Sequence, residues 1–184
     1  MTDELAGKTI AFLVAMEGIE QVELTEPWKA VEEAGGTPVL LAPETGKVQG
    51  YDHLDKADTF EVDRAVGEAQ PADYAAVVLP GGVANPDQLR TVPEAVRFVH
   101  QAADAGTPIA AICHAPWTLI DAGVASGRRL TSWPSLSTDL TNAGAEWVDE
   151  ELVVDRSGPG PLITSRKPDD LPAFCRALVE TVSG

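Results

Sequence analysis

The stretch "TPIAAICHAPWT" (residues 107–118) starts as a strand and ends as the opening of a helix. Residues 109–112 carry no polar side chain, which is the pattern of a strand buried on both faces of a parallel sheet. The run stops at Cys113-His114, and Pro116 is placed for a first helical turn. A strand that turns straight into a helix strains the backbone at the corner and aims the corner side chain outward, among the free N–H groups of the helix start. Those groups and the helix dipole favour a thiolate at Cys113. A buried structural cysteine, the common fate of this residue type, fits the spacing equally well.

Outward from this corner, short apolar runs alternate with helical patterns. "KTIAFLVA" (8–15), "TPVLLAP" (37–43), "DYAAVVLPGG" (73–82) and "TPIAAIC" (107–113) read as strands. Helical spacing covers 22–35, which stops at Gly35-Gly36, then 93–106, a short segment from Pro116, 135–143 and the amphipathic 169–182. Weaker strand signals lie at 128–133, "EWV", "ELVVD" and "LITS". Residues 44–65 are polar with Gly and Asp turn signals, an excursion or β-hairpin off the sheet. The expectation is one α/β domain over 1–184, a flavodoxin-like three-layer sandwich with a mostly parallel central sheet and a nucleophile elbow at Cys113.

Composition narrows the function. The chain has 184 residues, 44% of them hydrophobic, enough for one well-buried core. A net charge of −16 argues against a nucleic-acid surface, which needs clustered Lys and Arg. The apolar run near the start falls far short of the roughly 20 residues of a membrane span and lacks the flanks of a secretory signal. Only Cys113 and Cys175 are present, no disulfide framework, and a cytoplasmic location is expected. His53 and His100 sit in no ligand-like spacing, so no metal or other cofactor is expected. Cys175, in "AFCRALV", reads as a packed helix residue.

In open α/β sheets, ligands gather beyond the carboxyl ends of the strands. Three such ends carry "MEGIEQVEL", "PGGVANPDQLR" and "CHAPW". Glu20 and Glu23, three apart, fall on one face at the start of the first helix, where first-turn acids are also favoured by the dipole alone. Glu17, Glu26, Glu32 and Glu33 read as solvated. Gly81-Gly82 can make a backbone loop beside the cysteine or a simple turn. Asn85-Pro86-Asp87 reads as an N-terminal cap. Trp117 and Trp133 read as core residues first and pocket walls second.

Taken together, "AAICHAPWTLI", "LPGGVANPDQLR", "LTSWPSLSTDLTNAGAEWVDEELVVD" and "SRKPDDLPAF" resemble the PfpI family, the intracellular-protease-I type of the ThiJ/PfpI superfamily, from about Lys8 to Val182. The resemblance implies that Cys113 is a nucleophile and His114 its proton-transfer partner. It implies that Glu23, from the Gly-x-Glu-x-x-Glu pattern at Gly18, is the carboxyl at the sulfur, with Glu20 nearby. A carboxylate against a thiolate is costly, so Glu23 is expected to keep its proton. Gly82 and His114 N–H groups would form an oxyanion hole beside Gly81, with Trp133 supporting the site. The acid that orients the histidine matches Asp87, supplied by a neighbouring subunit, so a homodimer or higher homo-oligomer is implied.

Relatives of this type act as proteases, as glyoxalases or as deglycases. The implied partners are therefore small carbonyl compounds, glycated adducts or peptides, with small-carbonyl repair ranked before peptidase activity. Many relatives have glycine where this chain has Ala115, and some have tyrosine at Trp133, so a phenolic donor is absent. The alternative is a redox-sensing or chaperone-like stress protein whose Cys113 is oxidised. Class I glutamine amidotransferases share such an elbow but place their histidine late, and no histidine follows Ser165 here.

Overall fold

In a computed structural model describing residues 3–184, the chain opens with β1 (Thr9–Leu13), β2 (Glu17–Glu20) and α1 (Gln21–Glu33). Then come β3 (Thr37–Ala42), β4 (Gly46–Asp52), β5 (Asp55–Val62), β6 (Arg64–Ala65) and β7 (Ala76–Leu79). The middle holds α2 (Ala84–Leu89), α3 (Pro93–Asp104), β8 (Ile109–Ile112) and α4 (Pro116–Asp121). The last third runs β9 (Arg129–Leu130), α5 (Ser137–Asn142), β10 (Glu146–Trp147), β11 (Val153–Asp155), β12 (Leu162–Ser165) and α6 (Leu171–Ser183).

Seven strands form the central sheet in the order β11-β12-β8-β7-β1-β3-β6, parallel throughout except for the antiparallel β11. The unbroken apolar runs follow from burial on both faces. In β1, Ala11 and Leu13 pack into one apolar layer while Ile10 and Phe12 pack into the other. The first layer is closed by Phe98, Val99 and Ala102 of α3, Leu119 of α4 and Leu140 of α5. The second is closed by Leu24 and Val31 of α1 and by Phe174, Leu178 and Val182 of α6. Fully burying side chains of this size stabilises by roughly 1.5–3 kcal/mol each before the entropy cost of ordering them. The result is the three-layer, flavodoxin-like arrangement expected from the sequence.

The Gly35-Gly36 stop acts as a Schellman cap on α1: Gly36 N–H donates to Val31 O at 2.9 Å and Gly35 N–H to Glu32 O at 3.0 Å. Gly35 takes φ +82° to do so. Residues 44–65 form the expected hairpin, β4 against β5, but with a third strand. β2 pairs in parallel with β4, so the segment expected only to lead into α1 builds a small sheet over the carboxyl ends of the central strands. Four residues interrupted by Gly18 carry too little alternation to read as a strand. The strand expected at 128–133 shrinks to β9, paired with β10 outside the main sheet. Among the described residues no helix is long and apolar enough to cross a membrane.

Candidate active site

The strand ends of β1, β7 and β8 meet under the hairpin, and Cys113 sits at the corner between β8 and α4. Its φ is +65°, the left-handed region that an L-residue enters only under constraint. The constraint is visible: Cys113 N–H donates to Ser165 O at 3.1 Å, and Cys113 O accepts from Trp133 N–H at 2.8 Å. Pro116 opens α4 as the sequence implied. Ala115 does not narrow the site, because its methyl group packs into the apolar layer with Leu119.

His114 lies beside the cysteine rather than pointing away, with its Nδ1 at 3.1 Å from Cys113 Sγ. Two indoles hold the ring. Trp133 stacks on it, with centroids 5.5 Å apart and planes at 21°, and Trp117 meets it edge-on at 5.3 Å. Burial pushes the imidazole down to about 4, so it is neutral at physiological pH and can accept a proton. Trp117 packs against the core as expected, but Trp133 is 38% exposed and walls the pocket, so core packing is not its role.

Glu23 projects from the first turn of α1 and has no solvent exposure. Its Oε2 accepts the Gly81 N–H at 2.9 Å, while among the described residues Oε1 has no hydrogen-bond partner. Burial, and then the charge of Glu20, push the carboxyl up to about 8, against the easing effect of Cys113 and the Gly81 and Gly82 N–H groups. The acid is therefore protonated at neutral pH.

Two opposed effects act on the Cys113 sulfur. Burial pushes the Cys113 thiol up, as a charge on Glu23 would were it ionised, while the N–H groups of Gly82 and His114 favour the thiolate. Cys113 is 5% exposed, so the dipoles of the elbow work against a desolvation that the sequence could not reveal.

Gly81 and Gly82 are required by close approach. A Cβ on Gly81 would overlap Glu23 Oε2 and Cys113 Cβ, and one on Gly82, at φ +87°, would overlap Gly18 O. The Gly82 and His114 N–H groups face the sulfur. The loop is held by a residue the sequence had assigned elsewhere. Asn85 caps no helix: α2 begins at Ala84, and the buried Asn85 side chain accepts from Ala15 N–H at 2.7 Å and donates to Pro80 O and Gly81 O at 2.9 and 3.0 Å. Its side chain thereby ties the end of β1 to the glycine loop.

A cavity of about 410 Å³ opens onto Cys113 and His114, with Glu20, Gly82 and Trp133 among its walls. Tyr51, His53 and Leu54 of the hairpin, and Glu17, also line it. None of these four was expected in the site, and the β2–β4 pairing that brings the hairpin here has no local signature. Glu20 accepts weakly from the His53 N–H at 3.3 Å and lies 3.7 Å from His53 Nδ1, while Asp52 is 3.9 Å from Nε2. The ring thus meets the two acids through opposite nitrogens. Asp87 is exposed in the first turn of α2, outside the cavity of its own chain. Among the described residues, no carboxylate of the same chain hydrogen-bonds His114. His100 sits elsewhere, bonded to Ala122 O at 3.0 Å. Cys175 packs against α6's apolar layer, and burial pushes its thiol up to about 12.

The DJ-1/PfpI family pattern matches residues 8–181. The chain belongs to the DJ-1/PfpI family. It is 40% identical over 169 residues to protein/nucleic acid deglycase 2 of Escherichia coli, covering 92% of this chain and 94% of that one. It is 38% identical over 169 residues to the putative cysteine protease YraA of Bacillus subtilis, covering 92% and 95%. A two-domain protein of Anabaena variabilis, with DJ-1/ThiJ/PfpI-like and ferritin-like domains, superposes with a TM-score of 0.85 at 36% identity, over 94% of this chain and 49% of that chain. This DJ-1/PfpI chain is an enzyme of that type.

Proposed function

We propose that the protein is a cytosolic, stress-related cysteine hydrolase or lyase that acts on small carbonyl electrophiles and glycation adducts. The observation that carries this reading is the strained Cys113, with its Sγ 3.1 Å from His114 Nδ1 and two backbone N–H groups at the sulfur. Cys113 adds to the carbonyl carbon, His114 takes the thiol proton, and the Gly82 and His114 N–H groups bind the oxygen as it becomes negative. Glu23, protonated, keeps a second negative charge away from the sulfur. Asp87 of a neighbouring copy would orient His114, an assembly in keeping with the absence of such an acid among the described residues of the ring's own chain.

A cavity of about 410 Å³ suits a small adduct better than an extended peptide, which ranks peptidase activity second. The redox-sensor reading is weakened by the 5% exposure of Cys113, because peroxide must reach the sulfur to oxidise it. The test is a panel of glyoxals, glycated amines and fluorogenic peptides, run with wild type and Cys113→Ala. Turnover of the glyoxals and glycated amines, lost in the variant, is expected. Stoichiometric peroxide consumption with no turnover of any substrate would overturn the reading.

A further inference from the structure

The walls of the Cys113 cavity are lopsided in charge. Among the described residues that line it there is no Lys or Arg, whereas Glu17 and Glu20 present carboxylates and Asp52 stands at the rim beside His53. Lys56 stands opposite the lining residue Tyr51 on the hairpin, one cation against the three carboxylates of Glu17, Glu20 and Asp52. Lys167, next to the lining residue Pro168, lies 3.5 Å from Asp169, and Arg90 is held at 2.6 Å by Asp121. The whole chain adds a field of the same sign, with net charge −16. The Trp133 and Tyr51 rings beside these acids add faces that attract cations and gain nothing from anions. Leu54, 94% exposed at the hairpin tip, adds an apolar contact that is indifferent to charge.

We propose that this site selects its substrate by the charge of the group that carries the adduct. Resting on the carbonyl-adduct reading above, the site accepts adducts on cationic peptide segments and rejects the same adducts on polyanionic carriers such as nucleotides. The carbonyl chemistry is unchanged across carriers, so selection acts on capture, where a cation is drawn to Glu17, Glu20 and Asp52 and an anion is repelled. On a thiol-borne methylglyoxal adduct the overall step is redox-neutral. Water is consumed, the aldehyde carbon becomes a carboxylate, the adjacent ketone becomes an alcohol, and the carrier thiol is released with its proton.

The test holds the reacting group constant and varies only charge. Three capped peptides, Lys-Cys-Lys, Gly-Cys-Gly and Asp-Cys-Asp, are each converted to the methylglyoxal hemithioacetal, and kcat/KM is read from hydroxyacid release. At low salt the order expected is cationic, neutral, anionic, with about a tenfold or larger gap between the extremes that narrows in 0.5 M salt as screening sets in. Glu17→Gln combined with Asp52→Asn, both at exposed positions, should bring the cationic-to-anionic ratio down severalfold. Equal kcat/KM for the three peptides, or a ratio unmoved by salt and by the double variant, overturns the proposal while leaving the carbonyl-adduct reading intact. NMR titration of Cys113→Ala with the unmodified peptides separates the two failures. If no adduct is turned over but binding keeps the charge order, the chemistry fails and the selection stands. If binding ignores charge, the selection falls.

Discussion

The carboxyl group of Glu23 reaches the thiol of Cys113 and the N–H of Gly81 from the first turn of α1, wholly out of contact with solvent. One acid and one thiol, both raised by burial, therefore share a compartment that admits no second negative charge.

This pairing predicts a pH-dependent stability. Glu23 rises from 4.5 to about 8 on folding, so the native state holds a proton the unfolded chain has lost, and stability falls with rising pH between those values. His114 drops from 6.5 to about 4, so below 6.5 the unfolded chain binds the extra proton and stability rises with pH over that window. The two slopes oppose each other from 4.5 to 6.5, and Glu23 acts alone above. Denaturant unfolding should show a loss of about 2 kcal/mol between pH 6.5 and 8, at roughly 1.4 kcal/mol per pH unit. Glu23→Gln should abolish that loss and leave the rise below 6.5. A loss that persists in Glu23→Gln would place the proton elsewhere.

Trp133→Ala should expose the His114 ring, moving its pKa up from about 4 toward 6.5. The acid limb of kcat/KM then shifts to higher pH, and kcat falls about tenfold as the imidazole loses its fixed place at the sulfur. Trp133→Phe, which keeps a stacking face, should restore most of kcat. An acid limb that does not move in Trp133→Ala would show that the indole does not set the ionisation of His114.

Asn85→Ala strands Ala15 N–H, Pro80 O and Gly81 O, and should cost about 3 kcal/mol, since each buried polar group left unpaired costs roughly 1–3. The residual native protein should also lose turnover, because the glycine loop that carries the Gly82 N–H is no longer tied to β1. Thermal unfolding within 1 °C of wild type would rule out this bracing role.

Asp87→Ala should lower kcat without changing thermal stability. Mixing and reassembling it with Cys113→Ala should recover about a quarter of wild-type activity, the statistical share of dimer sites holding both intact groups. No recovery after confirmed subunit exchange would confine the site to one chain.

How much of this was legible beforehand depended on the range of the signal. The strand-to-helix corner at residues 107–116 was readable because strand, small residues and Pro116 lie in one local run, although a buried structural cysteine fitted it equally well, and four of the seven strands, β1, β3, β7 and β8, followed from apolar runs of strand length. Glu23 and Gly82 came only through resemblance, since each also fits an ordinary helix start or turn. Tyr51 and Leu54 were not legible, because their place in the site depends on β2 pairing with β4 more than 25 residues away. The desolvation of Cys113 was hidden for a related reason: a dipole is local and can be read, whereas desolvation is the sum of everything packed around the sulfur.

Gly18 and Gly82 press backbone against backbone, and Glu20 N–H donates to Gly81 O at 3.3 Å across the same seam. Two loops from distant parts of the chain are thus fused into a single rigid wall, and neither can be redesigned alone. Efforts to broaden the range of compounds this enzyme handles should leave that seam untouched and work on the hairpin tip around Leu54, where side chains can be exchanged without disturbing the chemistry behind them.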